Sequence, residues 1–249
     1  GFDRSIRRPV TVEAPSAASP PEGMSGDPLS QSRGAWLTLA QHTEGVCAEL
    51  EQLLAALPPL AADEARCLSH AARLHDWGKA HAVFQRTMRS GGVPASVDGA
   101  LLAKRQGAAP RHERPGFRHE LASLLAYLEH ERADPLVAYL VASHHGRVRL
   151  GARSLPGEGV AHEGRQVLGC REDDELPAAD LGGGVVMPPV RLRLAHLDLG
   201  AEHGPTYTDR ALGVLERLGP FRLAYLEAVF RTADRRRSAR EAREAAPGA

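Results

Sequence analysis

Histidine followed directly by aspartate, at His75-Asp76, with Gly78 and Lys79 close behind, is the pairing with the plainest chemical use in this 249-residue chain. Adjacent side chains on a helix project about 100° apart. An imidazole and a carboxylate in tandem can therefore reach one metal ion from two sides, or the carboxylate can bridge two ions while the imidazole serves only one. Lys79 stands four residues after His75 and three after Asp76. If the turn continues, it shares their face, where its ammonium would neutralise a phosphate. Other histidines fall inside helical patterns: His42, His119, and the tandem His144-His145 directly after Leu140-Val141-Ala142. Taken singly, each is more often an ordinary core or surface histidine, and a lone His-Asp dipeptide arises by chance in many chains. Two adjacent imidazoles at a buried helix end are harder to accommodate, because both need partners, and metal ions are among the few groups that satisfy both.

The elements that would position these residues follow from apolar spacing and from helix stops. A helix is expected from Trp36 to Leu57, carrying His42 and halted by Pro58. A second runs from about Asp63, as N-cap, through His75 to a stop at Gly78, and a shorter one from Lys79 to Met88. Residues 90–116 read as a long loop with room for one helical turn. Helices over Arg118–His130 and Pro135–His145 follow, the latter opened by Asp134-Pro135 and closed by Gly146. Residues 147–205 are rich in glycine and proline, and the alternation Val190-Arg191-Leu192-Arg193-Leu194 suits a small hairpin. A helix capped by Thr208 or Asp209 should reach Leu218, and Pro220 should open a last long one into Arg235-Arg236-Arg237. The fold class read from this pattern is all-α, a helical bundle with an irregular, loop-rich insertion at about 147–205. Residues 1–34, crowded with proline, serine and glycine, read as a linker or arm, 35–245 as one domain, and 246–249 as a tail.

Composition narrows the function classes. Lys+Arg and Asp+Glu each number 31, a formal net charge of +0, so bulk electrostatics does not drive the chain to nucleic acid or anionic membrane, and any such contact must be local. Three widely separated cysteines, Cys47, Cys67 and Cys170, support neither a disulfide framework nor a thiolate zinc site. A reduced, cytoplasmic setting is expected. No run approaches the roughly 18 apolar residues of a membrane span. The chain starts at Gly1 without a methionine or a signal pattern, which suggests part of a longer polypeptide or a processed chain. No GxxxxGK[ST] phosphate loop is present, so ATP hydrolysis is not expected of this chain.

The order His42, then His75-Asp76-Trp77-Gly78-Lys79 continuing to Phe84-Gln85, then His119, His144-His145 and finally Asp234 in Arg231-Thr232-Ala233-Asp234-Arg235 resembles the HD superfamily of metal-dependent phosphohydrolases. Within it the pattern is most similar to the HD nuclease domain of the helicase-nuclease of type I CRISPR systems, over about Trp36 to Ala239. The resemblance implies an HD-domain helical bundle with two divalent ions. One ion would be held by His42, His75, Asp76 and Asp234, the other by Asp76, His119, His144 and His145. Asp76 would bridge the two, a hydroxide between them would be the nucleophile, and Lys79 would steady the scissile phosphate or a ligand carboxylate, though it reads equally as a surface lysine after a helix end. Physics agrees with a shared anion, since two cations about 3.5–4 Å apart need one to blunt their repulsion. The imidazole-rich ligand set favours Mn, Fe, Co or Ni over Mg.

By the same resemblance the substrate would be single-stranded DNA and the partners a helicase domain or subunit, expected on the same original polypeptide, and the CRISPR surveillance complex. A leader ahead of the nuclease suits the type I-U (I-G) arrangement, with the HD domain at the carboxy terminus. A positive groove would draw on Lys104, Arg105, Arg111, Arg114 and Arg118 before His119, and on Arg231, Arg235, Arg236 and Arg237 around Asp234. Arg235-Arg236-Arg237 reads equally as a solvated helix end. With aromatics at 4 % of the chain, base stacking should contribute little, and Trp77 and Phe84 are expected in the core or a pocket wall. Ser238 is either a supporting hydroxyl for Asp234 or plain helix surface. His70, His81, His112, His130, His162, His196 and His203 are assigned to surface or loop. Two rival readings remain: an HD-type phosphohydrolase of dNTPs or cyclic dinucleotides, and a non-catalytic HD scaffold.

Overall fold

The computed structural model describes residues 35–107, 110–152, 165–198 and 204–244. The expected arm and tail, His162 and His203 lie outside them. Helix α1 (Leu39–Ala56) starts later than Trp36 because Leu37–Thr38 is strand β1, paired antiparallel with β2 (Leu102–Lys104) in the stretch expected to be loop. Thr38 caps α1. Its Oγ1 accepts the Gln41 N–H at 3.2 Å while Gln41 Oε1 accepts the Thr38 N–H at 3.0 Å, a reciprocal box that satisfies two otherwise orphaned donors. Helix α2 (Ala62–Leu74) begins just before Asp63, and the side chain of Glu64, not Asp63, caps it by accepting the Ala61 N–H at 3.2 Å.

At the end of α2 the chain leaves α geometry at Asp76 (φ −100°, ψ 6°) and passes through a 3-10 turn, Trp77–Ala80. Helix α3 (Ala82–Arg89) follows, capped by His81, whose Nδ1 accepts the Val83 N–H at 3.1 Å. The single turn expected in the 90–116 region is a 3-10 turn at Ala95–Val97. Helix α4 (His119–Leu128) is buried along its whole length, and α5 (Pro135–Ser143) from Leu136 onward. This accounts for their nearly continuous apolar sequence. Asp134 caps α5 by accepting the Leu136 and Val137 N–H groups at 2.8 and 3.3 Å. Element α6 (Tyr207–Glu244) is two helices broken at Gly219 (φ 74°), as the Leu218 stop and the Pro220 start require. Its second half continues past Arg235–Arg237, which are therefore mid-helix and not a helix end.

Helix α1 packs on α2 and α6, α5 packs on α2, α4 and α6, and α4 lies against the Trp77–Ala80 turn. Leu50, Leu68, Trp77, Phe84, Leu121, Leu140 and Phe230 are among the buried residues between them. The all-α bundle is thus the architecture formed.

The insertion holds short antiparallel ladders: β3 (Gln166–Val167) with β4 (Cys170–Arg171), β5 (Glu175–Leu176) with β8 (Val190–Arg191), and β6 (Ala179–Asp180) with β7 (Val186–Met187). Val190-Arg191 does not fold back within 190–194. It closes a nested hairpin around the Gly182-Gly183-Gly184 tip, which buries Leu176, Ala179, Leu181 and Leu192. No helix among the described residues is long and apolar enough to cross a membrane.

Candidate metal centre

Five segments deliver the chemistry-bearing side chains to one place. His42 comes from the first half of α1, His75 and Asp76 from the end of α2, His119 from the first residue of α4, His144 and His145 from the end of α5, and Asp234 from α6. Their ligating atoms fall into two groups, Asp76 with His119, His144 and His145, and His42 with His75 and Asp234, the atoms of each group lying within 4.8 Å of one another. The two oxygens of Asp76 face different groups. Oδ2 lies 3.4 Å from His42 Nε2 and 3.3 Å from His75 Nε2, whereas Oδ1 lies 3.3 Å from His119 Nε2 and 3.8 Å from His144 Nε2. Asp234 Oδ1 is 3.6 Å from His42 Nε2. Lys79, presented by the 3-10 turn, sets its Nζ 2.7 Å from Asp76 Oδ2.

The ring orientations are fixed from behind. His75 Nδ1 donates to the Ala72 carbonyl at 2.9 Å and His144 Nδ1 to the Val141 carbonyl at 2.6 Å. Those carbonyls demand the proton on Nδ1, which turns both Nε2 atoms inward as ligating lone pairs. Neither Nε2 has a hydrogen bond among the described residues. His42 Nδ1 is held by Glu241, at 2.9 and 3.1 Å from its two carboxylate oxygens. His119 and His145 bring their Nε2 atoms within 3.0 Å of each other. Two ring nitrogens that close need a proton or a cation between them.

Electrostatics favours added positive charge here. Burial alone would raise the Asp76 carboxyl, but His75, Lys79 and the hydrogen bond from His119 hold it well below the usual carboxylate range. Asp234 is likewise held down against burial by His42 and His75. Burial works against a charged His75, yet Asp76 and Asp234 raise its affinity for a proton. Burial and the neighbouring imidazoles push His144 down to about 3 and His145 well below its ordinary value, so both are neutral near pH 7, as a ligand must be. Glu120 is fully buried with neither oxygen hydrogen-bonded among the described residues, and His119 Nδ1 lies 3.8 Å from it. Orphaned lone pairs, a carboxylate divided between two groups and an excess of buried anions suit divalent cations bound by nitrogen and oxygen.

Six of the seven side chains are at most 4 % exposed, and His145 is the only one of them partly open to solvent. Among the described residues, the solvent-accessible side of the group is the His145-Gly146 end of α5. There, a side chain at Gly146 would meet the guanidinium of Arg231 within 3.1–3.3 Å.

The basic residues expected to line a groove separate. Arg111 and Arg235 are exposed, and Arg236 is exposed but 3.3 Å from Glu49. Arg114 is only partly exposed and its guanidinium lies 2.5 Å from Asp174, while Arg118 is buried. Lys104 is not on a groove wall. It is 1 % exposed, with Nζ 2.7 Å from Glu241 and 2.8 Å from Ser238 Oγ. Ser238 is buried and sits 3.5 Å from Asp234 Oδ1, the supporting position rather than the surface one.

His81, assigned to surface or loop, is 2 % exposed, with Nε2 3.2 Å from Asp174. His112 is half-buried beside Phe84 and Phe117, while His70 and His130 are exposed and His196 is half-buried against Glu129. Trp77 and Phe84 are both buried, as expected. Sequence reasoning overlooked Glu241, Glu120 and Ser123. Ser123 Oγ accepts the Gly78 N–H at 2.7 Å and lies 2.7 and 2.9 Å from the His75 and His119 carbonyls, joining two ligand-bearing segments. Glu241 was legible as the next step on the face of Asp234 and Ser238.

A family model described as "Cas3, HD domain" matches residues 27–179, a span containing every one of these ligand candidates except Asp234. No curated protein and no solved structure matches the chain.

Proposed function

The chain belongs to the Cas3 HD-domain family, metal-dependent phosphohydrolases of CRISPR defence, and from that premise we propose that residues 35–245 form a nuclease whose centre holds two divalent ions and cleaves single-stranded DNA. The observation that carries the reading is the division of Asp76, one oxygen toward His42 and His75, the other toward His119 and His144. A carboxylate so placed can bridge. In this reading His42, His75 and Asp234 complete one position, and His119, His144 and His145 the other. The imidazole-rich set favours Mn, Fe, Co or Ni over Mg. Ions bound there supply Lewis acidity and an activated water for in-line displacement at phosphorus.

The residues of the chain do the rest. Asp76 and Lys79 are assigned the catalytic roles. Asp76 would fix the spacing of the two positions, and the Lys79 ammonium, 2.7 Å from Asp76 Oδ2, would steady that carboxylate or a non-bridging phosphate oxygen of the substrate. Arg111 and Arg235 are the exposed cations of this set available to track a backbone, whereas Arg236, Arg114 and Arg118 would contribute only by leaving their present sites. Sparse aromatics fit tracking without base readout. A helicase, on the same polypeptide or as a subunit, would feed the strand to this domain at the surveillance complex, in the cytoplasm.

The test is incubation with Mn2+ and end-labelled single-stranded DNA beside a dNTP panel. DNA should shorten, and Asp76→Ala should lose the activity while keeping wild-type circular dichroism. Intact DNA alongside phosphate released from nucleotides would reject this reading in favour of a nucleotide phosphohydrolase.

A further inference from the structure

Glu241 is 2 % exposed and is the hub of a buried network. Both its oxygens face His42 Nδ1 at 2.9 and 3.1 Å, Lys104 Nζ lies 2.7 Å from Oε2, and Arg237 Nε lies 2.7 Å from Oε1. The two cations pin the carboxylate in place, and Lys104 reaches it from β2, the strand paired with β1 just ahead of α1. Among the described residues, none of His75, His119 and His144 is braced in this way. His75 and His144 lean on backbone carbonyls, and His119 has Glu120 only at 3.8 Å. A carboxylate behind a ligating imidazole fixes its tautomer and orientation and makes its other nitrogen a better donor. Asp234, a carboxylate, stands on the same side, whereas the opposite group adds only imidazoles to the shared Asp76.

We propose that Glu241 is a positioning residue that makes the two ion positions unequal, rendering the His42–His75–Asp234 position the tighter one. The inference rests on the two-ion reading above. It is tested by titrating Mn2+ into the full chain and into Glu241→Gln by calorimetry, with bound ions counted by elemental analysis. Wild type should show two phases. In Glu241→Gln the tight phase should weaken about 10–100-fold, the usual cost of losing such a partner, and the weak phase should stay within about twofold. A brace that merely held the fold together would weaken both phases alike, and that outcome, or no change in either, overturns the proposal. A single phase in wild type overturns it as well, whereas a wild-type chain that takes up no ion defeats the metal-centre reading itself. Because glutamine leaves the Lys104 ammonium buried with less compensation, the double variant Lys104→Met/Glu241→Gln is the control. It should recover the melting temperature without recovering the tight phase, and recovery of the tight phase would refute the brace.

Discussion

Replacing Gly78 by alanine should break the metal centre without altering any ligand. A Cβ at this position would sit 2.1 Å from the His119 carbonyl oxygen, 2.6 Å from the Ser123 nitrogen and 2.8 Å from Ala122 Cβ, where ordinary contact begins near 3.4 Å. Two of these obstacles are backbone atoms of α4, a helix buried along its whole length, so no side chain can swing aside. The turn and α4 must instead separate by about 1 Å. His119 opens α4, and its Nε2 is 3.3 Å from Asp76 Oδ1. Metal–ligand bonds tolerate only about ±0.2 Å, so such a shift removes His119 from any shared ion. Overpacking costs about 1–3 kcal/mol. Loss of the buried bond from the Gly78 N–H to Ser123 Oγ adds a further 1–3 kcal/mol or so. A total of about 2–6 kcal/mol corresponds to a fall in Tm of roughly 4–24 °C at this domain size. The assays are thermal melting and Mn2+ uptake. Ser123→Ala isolates the hydrogen-bond part: it should cost about 1–3 kcal/mol and impair uptake less, since it forces nothing apart. A Gly78→Ala chain that melts within a degree of wild type and loads metal normally would refute the reasoning.

Gly213 offers the opposite expectation. It lies in the first half of α6 with nothing near its missing Cβ, so Gly213→Ala should raise stability by about 0.5–1 kcal/mol in denaturant titration, and destabilisation would count against the helical assignment. Asp174 should supply an acid-sensitive share of stability. Burial would raise its carboxyl, but hydrogen bonds from His81 and Arg114 hold it down to about 2. A lowered folded-state pKa stabilises above the unfolded value near 3.9, and that contribution is lost as pH falls from about 5 toward 2. Wild type should therefore exceed Asp174→Asn by about 2 kcal/mol at pH 6, with the gap closing below pH 4; a gap independent of pH would show that the carboxylate charge does not matter. Metal uptake near pH 7 should release a proton from His75, whose proton affinity is raised by Asp76 and Asp234 against the opposing pull of burial. Calorimetric enthalpies measured in buffers of different ionisation heat would reveal that proton, and identical enthalpies would exclude it.

Much of this arrangement was readable from residue order. The periodic apolar segments gave α1, α4, α5 and both halves of α6, because helices that bury one face, or all of themselves, write that burial into their spacing. The tandem His144-His145 and the pair His75-Asp76 were legible as ligand candidates since few structural roles need adjacent imidazoles or an inward-facing His-Asp. Other features were not, for reasons of range. The β1–β2 ladder joins Leu37 to Lys104 through two- and three-residue strands too short to show an alternation. Lys104 looked like one more surface cation because its partners, Glu241 and Ser238, are remote in sequence. His81 looked like loop because its partner Asp174 belongs to the insertion, whose nested pairing no local pattern encodes.

The last helix explains how a pattern spread over most of the chain becomes one site. Asp234, Ser238 and Glu241 follow one another at four- and three-residue steps, so a single face of α6 presents a ligand candidate, its supporting hydroxyl and the carboxylate behind His42. The same half of α6 is tied to α1 a second time, by Arg236 and Arg240 on the buried Glu49, at 3.3 and 2.7 Å. These charges lie beyond the residue at which the family match ends. Without them, the group built on His42 and His75 would have two neutral rings and a carboxylate it must share with the opposite group. A divalent cation in so buried a place needs more compensating charge than that. The physical requirement for a second anion thus reaches further along the chain than the family match does, and Asp234 is the carboxylate placed where it would meet that requirement.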